Sequence, residues 1–195
     1  MIPKTFLDYY GDQTRWFLGE VVNVADDPMK LGRARVRIFG VYDNIEEEDL
    51  PWAQIVVPVT QSTYMGNGQN LGLLPGAQVF GMFLDGQNSQ LPLIVGAIPV
   101  QRDTHPRALT EGEYPHNKVY ATTRGHYKEY DDTDGKERIK EFHTSGSTWE
   151  ITNDTFTMKH HSGASIEMDK DGNVNISASG SGEVKINGKS VRLNS

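Results

Sequence analysis

The chain has 195 residues, a formal net charge of −7, 20 glycines and no cysteine. Lack of cysteine excludes disulfides, thiol catalysis and any zinc site that needs thiolate ligands, and the acid excess argues against a general binder of nucleic acid or anionic membrane. No apolar stretch approaches the roughly 20 residues that span a bilayer, and Met1–Tyr10 carries no signal-peptide apolar core.

Residues 1–14 read as an N-terminal arm. Residues 15–24, rich in aromatic and β-branched side chains, read as a first strand. Asp26-Asp27-Pro28 is a turn signal. Between Gly32 and Gly40 the pattern alternates strictly, with Ala34, Val36 and Ile38 on one face and Arg33, Arg35 and Arg37 on the other. That is the signature of a half-buried antiparallel strand. Glu46–Asp49 is an acidic loop, and Trp52 to Val59 is a third strand pattern closed by Pro58. A glycine-rich loop from Met65 to Gly72 follows. Ala77–Leu84 and Leu91–Ile98 then form a hairpin around Asp85–Gln90. Five short strands with these turns, and little room for helix, predict a small closed barrel of the oligonucleotide/oligosaccharide-binding (OB) type over residues 15–100. Residues 101–115 carry Pro106 and Pro115 with charges and no periodicity, which is a linker.

Residues 116–195 count like a rod. Gly125, Gly146 and Gly163 are 21 and then 17 residues apart, and His143–Ile151 aligns with His160–Met168 without a gap. A fixed period of this size marks stacked units that cannot bury their apolar faces alone. Period-two alternation places Ile139, Trp149, Ile151, Phe156, Met158, Ile166, Met168, Val174, Ile176, Val184, Ile186, Val191 and Leu193 on the inward side. Turn clusters such as Asp131–Gly135, Asn153-Asp154 and Asp169–Asn173 separate the strands. Residues 1–100 carry 6 basic and 11 acidic side chains, whereas residues 101–195 carry 13 and 15. The second half is therefore nearly neutral and densely charged, as a solvated exterior around a thin apolar seam would be. One such chain has too little apolar area to offset its ordering entropy. A homotrimer sharing one narrow core answers that, and about eight strands at ~4.8 Å spacing give a shaft on the order of 40 Å.

These residues resemble a known family. Trp16–Val22, Asp27–Arg37 with its run Asp-Pro-x-Lys-Leu-Gly-Arg, Leu50–Ala53 and Gly81–Asp85 are similar to the N-terminal OB domain of T4-type baseplate central spike proteins, and to the spikes of type VI secretion. Tyr114–Tyr120, Gly125–Ile139 and His143–Ile151 resemble that family's junction into its β-helix. The resemblance implies an all-β protein, an OB barrel followed by an intertwined trimeric β-helix. It implies a virion component of the tail baseplate, assembled in the host cytoplasm, that docks on a hub protein and pierces the host envelope when the sheath contracts. The T4 member carries a lysozyme domain between barrel and β-helix. Only the linker stands there in this chain, so no enzymatic activity is expected. Some phage spikes end in a His-x-His motif that binds iron on the axis, whereas the last histidine here is His161. A separate tip protein of the PAAR type is therefore expected against Arg192, Leu193, Asn194 and Ser195.

Other readings were weighed on the residues. Arg33, Arg35 and Arg37 form a basic stripe on an OB strand, and OB barrels bind single strands. No stacking aromatics interleave with the stripe, so no nucleic-acid partner is expected. A ligand-binding OB module for glycan or nucleic acid on a trimeric stalk is the alternative function. His143, His160 and His161 would recur three times around a trimer axis and there meet a metal ion, yet no flanking group stands at ligand spacing. No cofactor is expected. Asp169-x-Asp171-Gly172-Asn173 has part of a calcium-loop spacing, but its glycine comes two positions early and the distal Glu is missing, so it reads as a β-turn. Glu129, Glu150 and Glu167 recur at repeat positions, which argues architecture and not catalysis. Gly66, Gly68 and Gly72 lack the Gly-Lys-Ser/Thr of a phosphate loop.

Overall fold

A computed structural model describes residues 14–68, 72–100 and 114–192. The chain divides into two units, Met1–Asp103 and Thr104–Ser195. The first unit contains β1 (Arg15–Asn23), β2 (Ala34–Ile38), β3 (Trp52–Ile55), β4 (Gln78–Phe83) and β5 (Pro92–Ile98). They close into a barrel in the order β1-β2-β3-β5-β4, with β4 returning to β1 and one parallel pair, β3 with β5. Closure leaves no strand edge exposed to another chain. Strand β3 stops at Ile55, shorter than the alternation to Val59 predicts; Pro58 has no N–H to continue a ladder. Only two short 3₁₀ turns, Glu47–Asp49 and Gly86–Asn88, interrupt the β structure among the described residues.

The barrel core is the alternating set that the sequence marks. Val21, Ala34, Val36, Ile38, Ala53, Val79 and Ile94 are all but inaccessible, with Phe17, Tyr42, Leu50 and Phe83 packed beside them. Phe17 and Phe83 meet at 5.1 Å between ring centres, and Tyr42 meets Phe83 edge-on at 5.9 Å. The Tyr42 hydroxyl donates to the Ser89 carbonyl, which pins the loop before β5 across the barrel end. Gly81 is a position of close approach, because a Cβ there would run into the Leu93 carbonyl and the Phe17 ring.

The second unit is a seven-stranded antiparallel meander: β6 (Asn117–Ala121), β7 (Tyr127–Asp131), β8 (Arg138–Phe142), β9 (Thr148–Thr152), β10 (Thr155–Lys159), β11 (Ser165–Asp169) and β12 (Val174–Ser177). Each strand pairs with its sequence neighbour within one chain. Within the chain, the ladders of β6–β12 run between strands adjacent in sequence. Antiparallel hairpins with short loops satisfy their own backbone groups locally, and the turns are built for this. At Gly125, Gly146, Gly163 and Gly172 the glycine N–H donates to the carbonyl three residues earlier, and φ is +87°, +92°, +97° and +85°. This is a type I turn followed by a left-handed residue, which explains why glycine recurs there.

Three of these turns stack along one sheet edge. The His161 N–H donates to Ser147 Oγ at 3.0 Å, the Thr144 N–H reaches His126 Nδ1 at 3.4 Å, and Ser179 Oγ donates to the Ser162 carbonyl. Gly180 continues the spacing of 17, but no strand follows it among the described residues. Val184, Ile186 and Val191, expected in strands, lie in irregular chain and are more than half exposed. The segment Ser179–Gly182 is all serine and glycine, poor strand formers, and the alternation beyond it is too short to hold an edge position alone. Leu193, Asn194 and Ser195 lie outside the described residues, as do residues 1–13 of the arm and 101–113 of the linker.

In urea unfolding of the full chain, Gly81→Ala is expected to cost about 1–3 kcal/mol by overpacking against a backbone that cannot yield. Gly146→Ala is expected to cost about 1–2 kcal/mol through its left-handed backbone.

Candidate functional site

The second sheet has two unlike faces. Alternation from the observed register puts Ile139, Ile151, Phe156, Met168 and Val174 opposite one another in one column. Trp149, Met158, Ile166 and Ile176 form the column beside it. Nine of the thirteen expected core residues therefore share one face of one chain. Trp149 meets Phe156 edge-on at 5.7 Å. Ile139, Trp149, Ile151 and Phe156 are half-buried, whereas Met158, Ile166, Met168, Val174 and Ile176 remain 39–58% exposed. Isolated exposed apolar residues are ordinary, but a continuous two-column strip is the mark of an interaction surface. At its β6–β8 end the same face turns polar, with Lys118, Lys128 and Glu141, the last two paired at 3.0 Å.

The other face is mostly polar and carries ion pairs, with an apolar corner where Tyr127 stacks on Phe142 at 5.0 Å beside Val119 and Ala121. Lys140 meets Glu150 at 3.3 Å. Glu129 is buried and accepts from Asn117 Nδ2 at 2.8 Å, from Arg138 Nη2 at 3.0 Å and from Arg138 Nε at 2.9 Å. The Glu129 and Asp131 carboxylates hold the Arg138 guanidinium charged, raising its pKa above the ordinary value despite partial burial; the Glu129 hydrogen bonds are the larger cause. The repeated Glu129 and Glu150 are thus architectural, as their spacing indicated. Sequence reasoning missed Asn117 and Arg138; the signal was their alternation opposite Lys118 and Ile139.

In the barrel the run Asp27–Arg33 is a loop organised by one carboxylate. Asp27 accepts from the backbone N–H of Met29, Leu31 and Arg33 at 3.1, 2.8 and 3.2 Å, and from Arg33 Nη2 at 2.6 Å and Nε at 3.1 Å. Lys30 and Gly32 take left-handed backbone at φ +52° and +73° so that these N–H groups converge. The Arg33 guanidinium, and after it the backbone donors, hold the Asp27 carboxyl well below the usual carboxylate range against the opposing effect of burial. The other arginines of the stripe are equally committed. Arg35 lies 4.8 Å over the Trp52 ring and donates to the Glu47 carbonyl at 3.0 Å. Arg37 donates to the carbonyls of Tyr42 at 3.0 Å and Ile45 at 2.6 Å. The basic stripe is thus spent within its own barrel: Arg33 on the Asp27 loop, Arg35 on the acidic loop and Arg37 on the segment Tyr42–Ile45.

The histidines sit in the stacked turns. His143 Nδ1 accepts from the Ser145 N–H at 3.1 Å and His160 Nδ1 from the Ser162 N–H at 3.3 Å. The rings of His126 and His143 are 4.5 Å apart and those of His160 and His161 4.0 Å. No group of three His, Asp or Glu side chains converges as a metal site among the described residues. The outer surface of β1 and β4 carries a further apolar strip, where Trp16 stacks on Phe80 at 5.1 Å with Leu18 beside them, Trp16 and Leu18 both more than half exposed.

A closed OB-type barrel together with a second, antiparallel sheet defines an all-β protein. The family model described as the Gp5 N-terminal OB domain matches residues 38–179, so the chain belongs to this family, that of the T4-type baseplate central spike proteins. It is 35% identical over 89 residues to the pre-baseplate central spike protein Gp5 of Enterobacteria phage T4, covering 40% of this chain and 15% of that one. It is 30% identical over 96 residues to the protein Gp5 of Vibrio phage KVP40, covering 45% of this chain and 23% of that one. The chain thus spans less than a quarter of the length of either relative. Its place is the tail baseplate of a phage virion.

Two predictions follow from this chemistry. Because the Asp27 carboxyl titrates lower when folded, its contribution is fully present above the ordinary Asp pKa of about 4 and is lost as pH falls through the depressed folded value. Asp27→Asn is therefore expected to lower the melting temperature at pH 7, with the gap to the parent narrowing below about pH 4. Arg138→Met, which leaves the buried Glu129 charge unpaired, is expected to cost about 3–5 kcal/mol in urea unfolding, and adding Glu129→Leu should recover much of that loss.

Proposed function

We propose that three copies of this chain form the central spike of a contractile tail baseplate. The apolar strips of the three sheets face a common axis, and the polar faces turn outward. The observation that carries this reading is the two-column strip from Ile139 to Ile176, which one chain leaves open to water. Association buries these faces, and the open outer edges of β6 and β12 are the backbone positions left for contact with neighbouring copies. The sheath provides the work and the spike provides stiffness and a narrow profile. A polar exterior keeps the shaft from partitioning into lipid, so it passes through the host envelope and does not anchor there.

In this reading the barrel docks on a separate hub protein, and the exposed Trp16, Leu18 and Phe80 strip is the surface for it. Val184, Ile186, Val191 and Leu193 join the shaft only where neighbouring copies cover them, and Arg192–Ser195 meets a separate tip protein of the PAAR type. No lysozyme or other enzymatic activity belongs to the proposal. The three arginines that would serve a single-strand-binding module are held by intrachain partners, which disfavours the ligand-module alternative.

Light scattering of the purified chain is expected to return a three-chain mass, and Met158→Asp combined with Ile166→Asp a one-chain mass. A one-chain mass for the parent protein at micromolar concentration overturns the proposal.

A further inference from the structure

Two asparagines in this chain are followed by glycine, Asn67 and Asn187; every other asparagine is followed by a residue with a Cβ. The sequence makes the two pairs equal, and the structure separates them. The chemistry at such a pair is intramolecular. The glycine backbone nitrogen attacks the asparagine Cγ and gives up its proton, which leaves with the side-chain NH₂ as ammonia. The succinimide so closed is opened by water at either carbonyl, giving aspartate or isoaspartate. Glycine in second place has no Cβ to hinder the approach and lets the backbone reach the angles required. Two conditions remain. The asparagine amide must be free to turn onto its own chain, and the backbone on both sides of the bond must be free to bring nitrogen and Cγ together.

Asn67 meets neither condition. Its Nδ2 donates to the carbonyls of Tyr64 at 3.2 Å and Met65 at 3.4 Å, which ties the amide back over the turn. Its own N–H donates to the Tyr64 carbonyl at 3.1 Å. Gly68 has φ +130°, and it lies so close to Ser62 that a Cβ there would overlap the Ser62 carbonyl oxygen.

Asn187 meets both. Residues 182–187 are irregular chain, Gly188 lies in a bend, and all of residues 181–190 are exposed. Asn187 makes no hydrogen bond to another described residue. A Cβ on Gly188 would come no nearer than 3.6 Å to any atom beyond its chain neighbours, so nothing packs against the attacking nitrogen.

We propose that Asn187 is a site of spontaneous deamidation, converting to aspartate and isoaspartate while its segment is uncovered. Each conversion puts a negative charge between Lys185 and Lys189. The isoaspartate product also routes the main chain through Cβ, one atom longer, so residues after it no longer keep the period-two spacing of those before it. The inference does not rest on the proposed trimer. Where neighbouring copies cover Val184, Ile186 and Val191 the conversion is slowed, so the chain tested is one kept from associating.

The test is incubation of the full chain carrying Met158→Asp and Ile166→Asp in mildly alkaline buffer, with and without urea. Peptide mapping follows each asparagine by mass and separates isoaspartate from aspartate by fragmentation, and light scattering is run on the same samples. In buffer Asn187 is expected to convert at least about tenfold faster than Asn67 and to yield both products. In urea the two pairs are expected to convert at like rates, so that the gap reports the fold. Gly188→Ala in the same background should slow conversion at residue 187 about tenfold, because a methyl group then hinders the attack. An Asn187 that stays intact, equal rates at the two pairs in buffer, or a Gly188→Ala chain that converts as fast each overturns the proposal. If the double variant fails to fold, the parent chain diluted to a one-chain mass replaces it. Conversion in the parent as fast as in the variant, at a three-chain mass, supports the modification and removes Val184–Val191 from the proposed shaft.

Discussion

A β-sheet with one wet and one dry face is stable only when something covers the dry side. In the second unit each neighbouring pair of strands bonds within one chain, and only the outer edges of β6 and β12 are left open. The main call for a partner comes from the side chains. Each hairpin adds two strands' worth of apolar residues to the same strip, and the strip grows more exposed from β9 towards β12. The polar face cannot serve instead, because Lys140, Glu150, Glu129 and Arg138 are already paired there. Two kinds of information are thus written on one strand: the period-two pattern sets which side must be covered, and the turns set that the chain itself will form the ladder.

Much of this is legible in the sequence because period two is a direct consequence of the pleat. Ala34, Val36 and Ile38 against Arg33, Arg35 and Arg37 gave the face of β2 without ambiguity, and the columns from Ile139 to Ile176 follow from the same rule. Pairing partners are less legible. Alternation is identical whether a strand bonds to its own chain or to another, so the pattern alone does not name the partner. The turn glycines mark where the hairpins within the chain close. A glycine whose φ lies near +90° three or four residues after the last strand residue is a hairpin device.

Polar interiors were the least legible. Glu129 and Arg138 look like two more surface charges in a densely charged segment, and only the fold brings them beside Asn117. The same holds for the run Asp-Pro-x-Lys-Leu-Gly-Arg. Its specificity as a motif was evident, but the reason lies in three dimensions: one carboxylate gathers three N–H groups and a guanidinium, and the left-handed residues Lys30 and Gly32 allow them to converge. The arginines of the basic stripe, each identical in the sequence pattern, meet three different partners within the barrel.

The stacked turns also bear on how such a structure can change its reach. A hairpin that closes its own loop and bonds to its neighbours only through strand edges and turn contacts is a self-similar module. Duplicating one 17-residue segment would lengthen the ladder by two inter-strand spacings, roughly 9.5 Å, while leaving every other hairpin as it was. Descent by tandem copying therefore offers a route to change the length of the sheet in increments fixed by the backbone and not by the side chains.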